Sequence, residues 1–318
     1  MQIQQKLPPI VQQNVLNLAL GILLTALYGP LLLHWVDGWV NKSISIEHEY
    51  FSHGLIGLPF AAYLAWENRK KWKRLEERAH PLGAFCLVLG AIFYITGVTE
   101  WVNLSFPLIL AGLCLWLKGI KGLKLQGFPL LFVLFATPNA IPYILTPYTL
   151  PLQKFIATTA GFILLQFRIP VEVQEIHLTV NGKFVEVAPY CAGLKMLFTS
   201  LYVAFMLLVW TDAIRSRAKT ILLFIGAAGL SVTANVIRNT LLTYFHGTGM
   251  DGAFDWLHES WGGDVYSACL LGIIVILLNL IERFDTSSDT PLVEEAIASP
   301  PETTAVESNL ENKREDNR

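Results

Sequence analysis

The chain has 318 residues, 53% of them apolar and only 15% charged, with a mean hydropathy of +0.47. Soluble domains carry nearer a quarter charged residues, so the composition excludes an ordinary soluble globule. The net charge of −2, with no basic stripe interleaved with aromatics, gives no support to a nucleic-acid-binding surface.

Apolar runs near the ~20 residues that cross a hydrocarbon core of ~30 Å recur along the chain. They predict an all-α, polytopic transmembrane helix bundle of about eight spans, at 13–36, 52–66, 82–99, 103–117, 127–145, 192–210, 220–244 and 264–281. Lys6 is the only basic residue before the first run. That run is long for a signal peptide and lacks an obvious small-residue cleavage site, so it reads as an uncleaved anchor. Arg69, Lys70, Lys71, Lys73, Arg74 and Arg78 follow the second span. Lys118, Lys121 and Lys124 follow the fourth, and Arg215, Arg217 and Lys219 the sixth. The opposite connections hold only Lys42, Lys154, Arg168 and Lys183, so the positive-inside rule puts both termini in the cytoplasm.

Residues 146–166 are apolar and helical in pattern, yet an odd number of crossings must separate Lys124 from the 168–190 stretch. About 40 residues cannot hold three crossings, so this segment is expected to be re-entrant or interfacial, set off by Pro138, Pro142, Pro147 and Pro151. Val171, Val173, Ile176, Leu178 and Val180 then lead into Asn181-Gly182, followed by Phe184, Val185 and Val187. Asn-Gly between apolar alternations predicts a small extracytoplasmic β-hairpin, delivered directly to Cys191. Beyond 283 the composition changes: residues 285–318 carry nine Asp/Glu against three Lys/Arg. The expected division is a transmembrane domain, 1–283, and a disordered acidic cytoplasmic tail, 284–318.

Three residues stand out chemically. Cys86, Cys114 and Cys269 lie in apolar runs, where cysteine packs as a small hydrophobe. Cys191 instead follows Pro189-Tyr190 and is expected to open a long helix, whose first-turn N–H groups and dipole lower a thiol pKa. Lys195, four residues on, would add to this. From spacing alone, a structural cysteine at a helix start is an equal alternative.

Arg238 lies within the seventh span, about 27 Å along from Thr220 and so near the outer boundary. An intramembrane cation is a functional candidate by default, although a snorkelling side chain is the alternative. Asn235 and Asn239 flank it, and Asn235 shares its face. His258, in Asp-Trp-Leu-His-Glu-Ser-Trp-Gly-Gly-Asp, has a pKa suited to acid–base work, with Asp255 or Glu259 to orient the ring. The tryptophans beside it also suit an interfacial belt with no chemistry, and taken alone the segment reads that way. His80 reads as a solvated boundary residue, and His34, His48, His177 and His246 have no motif around them. No second His or Cys stands at ligand spacing near His258, so no metal or cofactor is expected.

Pro-Tyr-Cys-Ala-Gly-Leu-Lys at 189–195, Asn-Val-Ile-Arg at 235–238 and the His258 segment resemble the Cys, Arg and His blocks of the exosortase/archaeosortase family. Tyr-Phe-Ser-His-Gly at 50–54 resembles that family's N-terminal Ser-His-Gly signature. Order and spacing agree over roughly residues 50–280, and the look of the motifs suits a cyanobacterial branch. Ala192 and Lys195 depart from the family's usual Ser and Arg, which bears on the subfamily.

The resemblance implies a plasma-membrane transpeptidase whose partners are exported proteins with a C-terminal sorting signal: a Pro-Glu-Pro-type motif, a transmembrane helix and a basic cluster. On this chain it makes Cys191 the nucleophile, Arg238 the oxyanion or carboxylate partner and His258 the acid–base. Lys195, Asn235 and His53 would support them or bind substrate. A plain endopeptidase using water, an anion transporter lined by Arg238, Lys195 and His258, and a non-catalytic scaffold are the alternatives.

Overall fold

The computed structural model describes residues 9–41, 50–187, 193–258 and 260–298, with side chains within 15–284. The chain is mostly helical. Helix α1 (Pro9–Asn41) leads to α2 (Gly54–Glu67) and the short basic α3 (Arg69–Arg74). Then come α4 (Pro81–Ile95), α5 (Thr99–Leu125), α6 (Gly127–Ala136), α7 (Ile141–Leu145) and α8 (Leu150–Gln166). A small sheet of β1 (Val171–Gln174), β2 (His177–Val180) and β3 (Lys183–Glu186) precedes α9 (Leu194–Trp210), α10 (Arg217–Thr248), α11 (Asp251–His258) and α12 (Trp261–Ala298).

Helix covers most of seven of the eight expected spans, and the eighth, 127–145, is interrupted. Segments within α1, α5, α10 and α12 are long and apolar enough to cross a membrane; α4, α6 and α9 are shorter apolar helices. Leu18, Ile22, Leu33, Phe85, Ile92, Ile95, Phe162, Ile221, Ile225 and Ile276 all lie exposed on outer faces. Apolar surface on that scale suits lipid rather than water.

Between helices in lipid, close backbone approach and polar bonds replace the hydrophobic driving force. A Cβ added to Gly83 would lie 2.6 Å from the Trp116 backbone nitrogen, and one on Gly90 2.7 Å from Ile109, so α4 and α5 pack with almost no spacing. Helix α1 docks on α5 through polar pairs: Trp35 Nε1 donates to Asn103 Oδ1 at 2.8 Å, and Tyr28 and Ser105 hydroxyls pair at 2.9 Å.

Two expectations are corrected. The single span at 127–145 is broken: α6 ends at Ala136 and helix resumes at Ile141. Pro138 disfavours continuation, and side chains satisfy the opened backbone. Asn103 Nδ2 donates to Pro138 O at 3.1 Å, Asn139 Nδ2 to Thr137 O at 2.9 Å, and Ile141 N to Asn139 Oδ1 at 2.9 Å. Irregular backbone at this depth is tolerated when such partners exist.

The hairpin is a three-stranded antiparallel meander, β1-β2-β3. Asn181 and Gly182, at φ 51° and 78°, form the expected tight turn between Val180 and Lys183. A second reversal at Glu175-Ile176, with Glu175 at φ 55°, adds β1. Helix α12 also carries helical backbone past the composition change at 284 as far as Ala298, through a Val-Glu-Glu-Ala-Ile-Ala run of mixed helix propensity.

The sheet lies between α8 and the C-terminal half of α10. Ile156, Ala157, Ala160, Leu178, Val187 and Val236 form one buried cluster joining the three. Asn181 Nδ2 donates to Gly247 O at 3.1 Å, and Lys183 pairs with Asp251 at 3.4 Å. A second cluster, including Ala204, Leu208, Leu223, Ala227, Leu270 and Ile274, locks α9, α10 and α12 together.

Candidate active site

Helix α10 is the spine of the site. Ser216 caps its start, accepting from Lys219 N at 3.4 Å, and Gly249 ends it in the left-handed region at φ 77°. Ser231, Asn235, Asn239 and Thr243, spaced by four, are all buried and make a polar line along one face. Asn239 Nδ2 donates to Asn235 O at 2.9 Å and to its Oδ1 at 3.3 Å.

Arg238, three residues after Asn235, is half-buried beside this line. Its Nη2 donates to Leu257 O at 3.3 Å, the carbonyl of the residue before His258. A Cβ on Gly263 would approach the same nitrogen to 3.6 Å, so the guanidinium fills the space between the end of α11 and the start of α12. Arg238 Nε is buried without a hydrogen-bond partner. The arginine therefore does not simply reach into solvent; it props the segment that carries the histidine. Tyr266 Oη donates to Ala234 O at 2.6 Å, fixing α12 against α10 one turn below.

His258 is the last residue of α11 and is half-buried. Phe254 stacks on its ring, with centroids 5.1 Å apart and planes 12° from parallel; on its other flank Phe254 meets His246, also at 5.1 Å. Asp255 is exposed, and Glu259 lies outside the described residues.

Cys191 also lies outside the described residues, which end at Val187 and resume at Gly193. Both flanks are firmly held. Val187 is fully buried; its N–H donates to Ile176 O at 2.9 Å, and its carbonyl accepts from Gln153 Nε2 at 2.8 Å. Gln153, only 4% exposed on α8, also accepts from Thr149 Oγ1 at 3.2 Å. Gly193 takes φ 80° as the N-cap of α9, and a Cβ there would lie 2.6 Å from Asn235 Cγ. Glycine is required at this position for both its conformation and its lack of side chain. The described part of α9 starts at Leu194, and the expected i,i+4 relation between Cys191 and Lys195 lies outside the described residues. Lys195 is half-buried in the first turn of α9, whose N-cap glycine offers no side chain to the orphan N–H groups.

The structure thus brings Arg238 beside the His258 segment, and Asn235 beside the resumption of chain after Cys191. His53 lies near the start of α9, where Tyr50 and Phe51 share a buried cluster with Leu194. It is 5% exposed, donates from Nε2 to Phe135 O at 3.0 Å and packs on Tyr202 with centroids 4.4 Å apart, tying α2 to α6 and α9. Gln153, Gly193, Phe254 and His246 are the neighbours that the sequence reading missed. Only Gly193, a glycine just before a helix, carried a local signal. Among the described residues no group of three or more His, Cys, Asp or Glu is placed to hold a metal ion.

A family model described as transmembrane exosortase matches residues 39–275. That range contains Cys191, Arg238 and His258. No curated protein and no solved structure matches the chain.

Proposed function

Since the chain belongs to the transmembrane exosortase family, we propose that it is a membrane cysteine transpeptidase that cleaves the C-terminal sorting signals of exported proteins. The observation that carries this reading is the bond from Arg238 to Leu257 O, which joins the intramembrane cation to the histidine segment. The two anchors on either side of Cys191 support it, because one of them, Gly193, rests on the helical turn that also bears Arg238.

The chemistry follows from the groups. Cys191 thiolate attacks the scissile carbonyl carbon, and the carbonyl oxygen takes up negative charge. Arg238 stabilises that oxygen with the donors not committed to Leu257, including its unpartnered Nε. Collapse breaks the C–N bond as His258, in its protonated form, gives a proton to the leaving amine, leaving a thioester on Cys191. His258 then takes a proton from the acceptor nucleophile, which attacks the thioester and frees the thiolate. Asn235, Lys195 and His53 serve as supporting groups.

In this reading the chain crosses the plasma membrane eight times with both termini in the cytoplasm. The sheet, α11 and the site lie on the extracytoplasmic face, and α8 is interfacial. Coexpression with a tagged substrate ending in a Pro-Glu-Pro-type motif, a transmembrane helix and a basic cluster tests the mechanism. Processing is expected to stop in Cys191→Ala; normal processing by that variant would overturn it. Mass analysis of the product's new C-terminus separates transfer to an acceptor from hydrolysis by water.

A further inference from the structure

Away from this site, an apolar cleft of about 410 Å³ opens between α1, α2, α5 and α6. Leu32, Leu58, Ala61, Ala65, Leu110 and Val133 are among its walls. Along α5 the lining runs from Phe106 to Leu117, about 16 Å at the helical rise, or roughly one leaflet of a bilayer core of ~30 Å. Its walls are almost wholly apolar, which suits a hydrocarbon chain.

One end of the cleft is polar. Trp72 of α3 and Gln126 line it there, and the Gln126 side-chain oxygen is buried without a partner. Trp72 turns inward, so that a Cβ on Gly122 would lie 3.1 Å from its ring. The rest of α3 points outward: Lys70, Lys71, Lys73 and Arg74 are exposed, and no ion pair is described for them. Arg69 is committed to Trp66, 3.6 Å above its ring, and Lys118 to Leu75 O and Glu77. Glu67, Glu76 and Glu77 leave this segment net positive.

We propose that the cleft holds one acyl chain of an anionic phospholipid, with the phosphate at the Lys70, Lys71, Lys73 and Arg74 cluster. The fit is one of length, apolar lining and charge. A hydroxylated head group would in addition supply the donor that Gln126 lacks.

The test uses the full chain reconstituted in phosphatidylcholine vesicles with or without phosphatidylglycerol, then taken into detergent for native mass spectrometry and thermal unfolding. Phosphatidylglycerol is expected to be retained roughly tenfold over phosphatidylcholine and to raise the unfolding midpoint; glycerol phosphate without chains raises nothing. Replacing Lys70, Lys71, Lys73 and Arg74 together with Gln is expected to cut retention at least about tenfold, since each cation near an anionic head group contributes several-fold in affinity. Ala65→Phe, which fills the cleft, is expected to do the same, with Ala62→Phe in its place if the first does not fold. Equal retention of the two lipids, or unchanged retention by the charge variant, overturns the proposal. So does loss of substrate processing in Ala65→Phe with phosphatidylglycerol retention intact, which would mark the cleft as a protein-helix groove.

Discussion

Gly193 lies against Asn235 so closely that a single methyl group on it would come within 2.6 Å of the amide carbon. The contact fixes where the chain resumes after Cys191 relative to the helix that carries Arg238.

Gly193→Ala is therefore expected to lose processing. The left-handed backbone costs an alanine about 1–2 kcal/mol, and overpacking adds about 1–3 kcal/mol. Adding Asn235→Ala removes the two nearest contacts and leaves only the Cβ at 3.0 Å, so the double variant is expected to recover part of the loss in both activity and thermal stability. A double-mutant cycle on processing rate checks this; strict additivity would mean the contact has no role.

Gln153→Leu keeps the volume near α8 but leaves the Val187 carbonyl without its donor. An orphaned buried acceptor costs about 1–3 kcal/mol. The expected outcome is a lower processing rate together with altered labelling of Cys191 by an impermeant thiol reagent. Gln153→Glu, which offers no amide donor, is expected to behave alike. A change in stability alone, with labelling unaltered, would make Gln153 a packing residue only.

Arg238→Lys keeps the charge but not the fork that reaches Leu257 O while presenting Nε. A fall in processing of about 10²-fold or more is expected, the scale seen when an oxyanion donor is removed, with little change in midpoint. Near-normal turnover by the lysine variant would assign Arg238 a purely electrostatic part.

Phe254 orients the His258 ring by stacking. Phe254→Ala is expected to slow processing several-fold and to move the pH–rate profile, because the imidazole loses its fixed position without losing its chemistry. Phe254→Tyr, which keeps the stacked face, is expected to restore the profile. The readout is rate against pH for the three proteins side by side.

Asn103→Leu removes partners from both Trp35 and the Pro138 carbonyl. Interhelical polar bonds in membrane proteins average about 0.6 kcal/mol each, and a stranded carbonyl costs more, so a loss of about 1–3 kcal/mol is expected. Thermal inactivation in detergent measures it, and the site's pH profile is expected to stay unchanged.

Much of the scaffold was legible because hydrophobic length and charge are local signals. The helices Pro81–Ile95 and Arg217–Thr248 follow from apolar runs, and the turn at 181–182 from Asn-Gly. The strand before it was read as one run from Val171 to Val180, because nothing local marks a positive φ at Glu175. Pro138 hinted at the break after Ala136, but its satisfaction by Asn103 depends on a contact 35 residues away. The same holds for Gln153, which meets Val187 across 34 residues. The polar character of Asn235 and Arg238 was visible along the chain. What each touches was not, since their partners sit on other helices.

Val187 shares a buried cluster with Val236, and Gly193 rests on Asn235, its neighbour in sequence. Both ends of the Cys191 segment thus ride on the turn of α10 that continues to Arg238. Helices tilt when bilayer thickness changes. A tilt of α10 would carry these anchors and the guanidinium as one body, leaving their spacing unaltered. His258, beyond the reversal at Gly249, moves with them through the bond to Leu257 and through Phe254, stacked between His246 and the imidazole. Membrane thickness would then act on the histidine's alignment first.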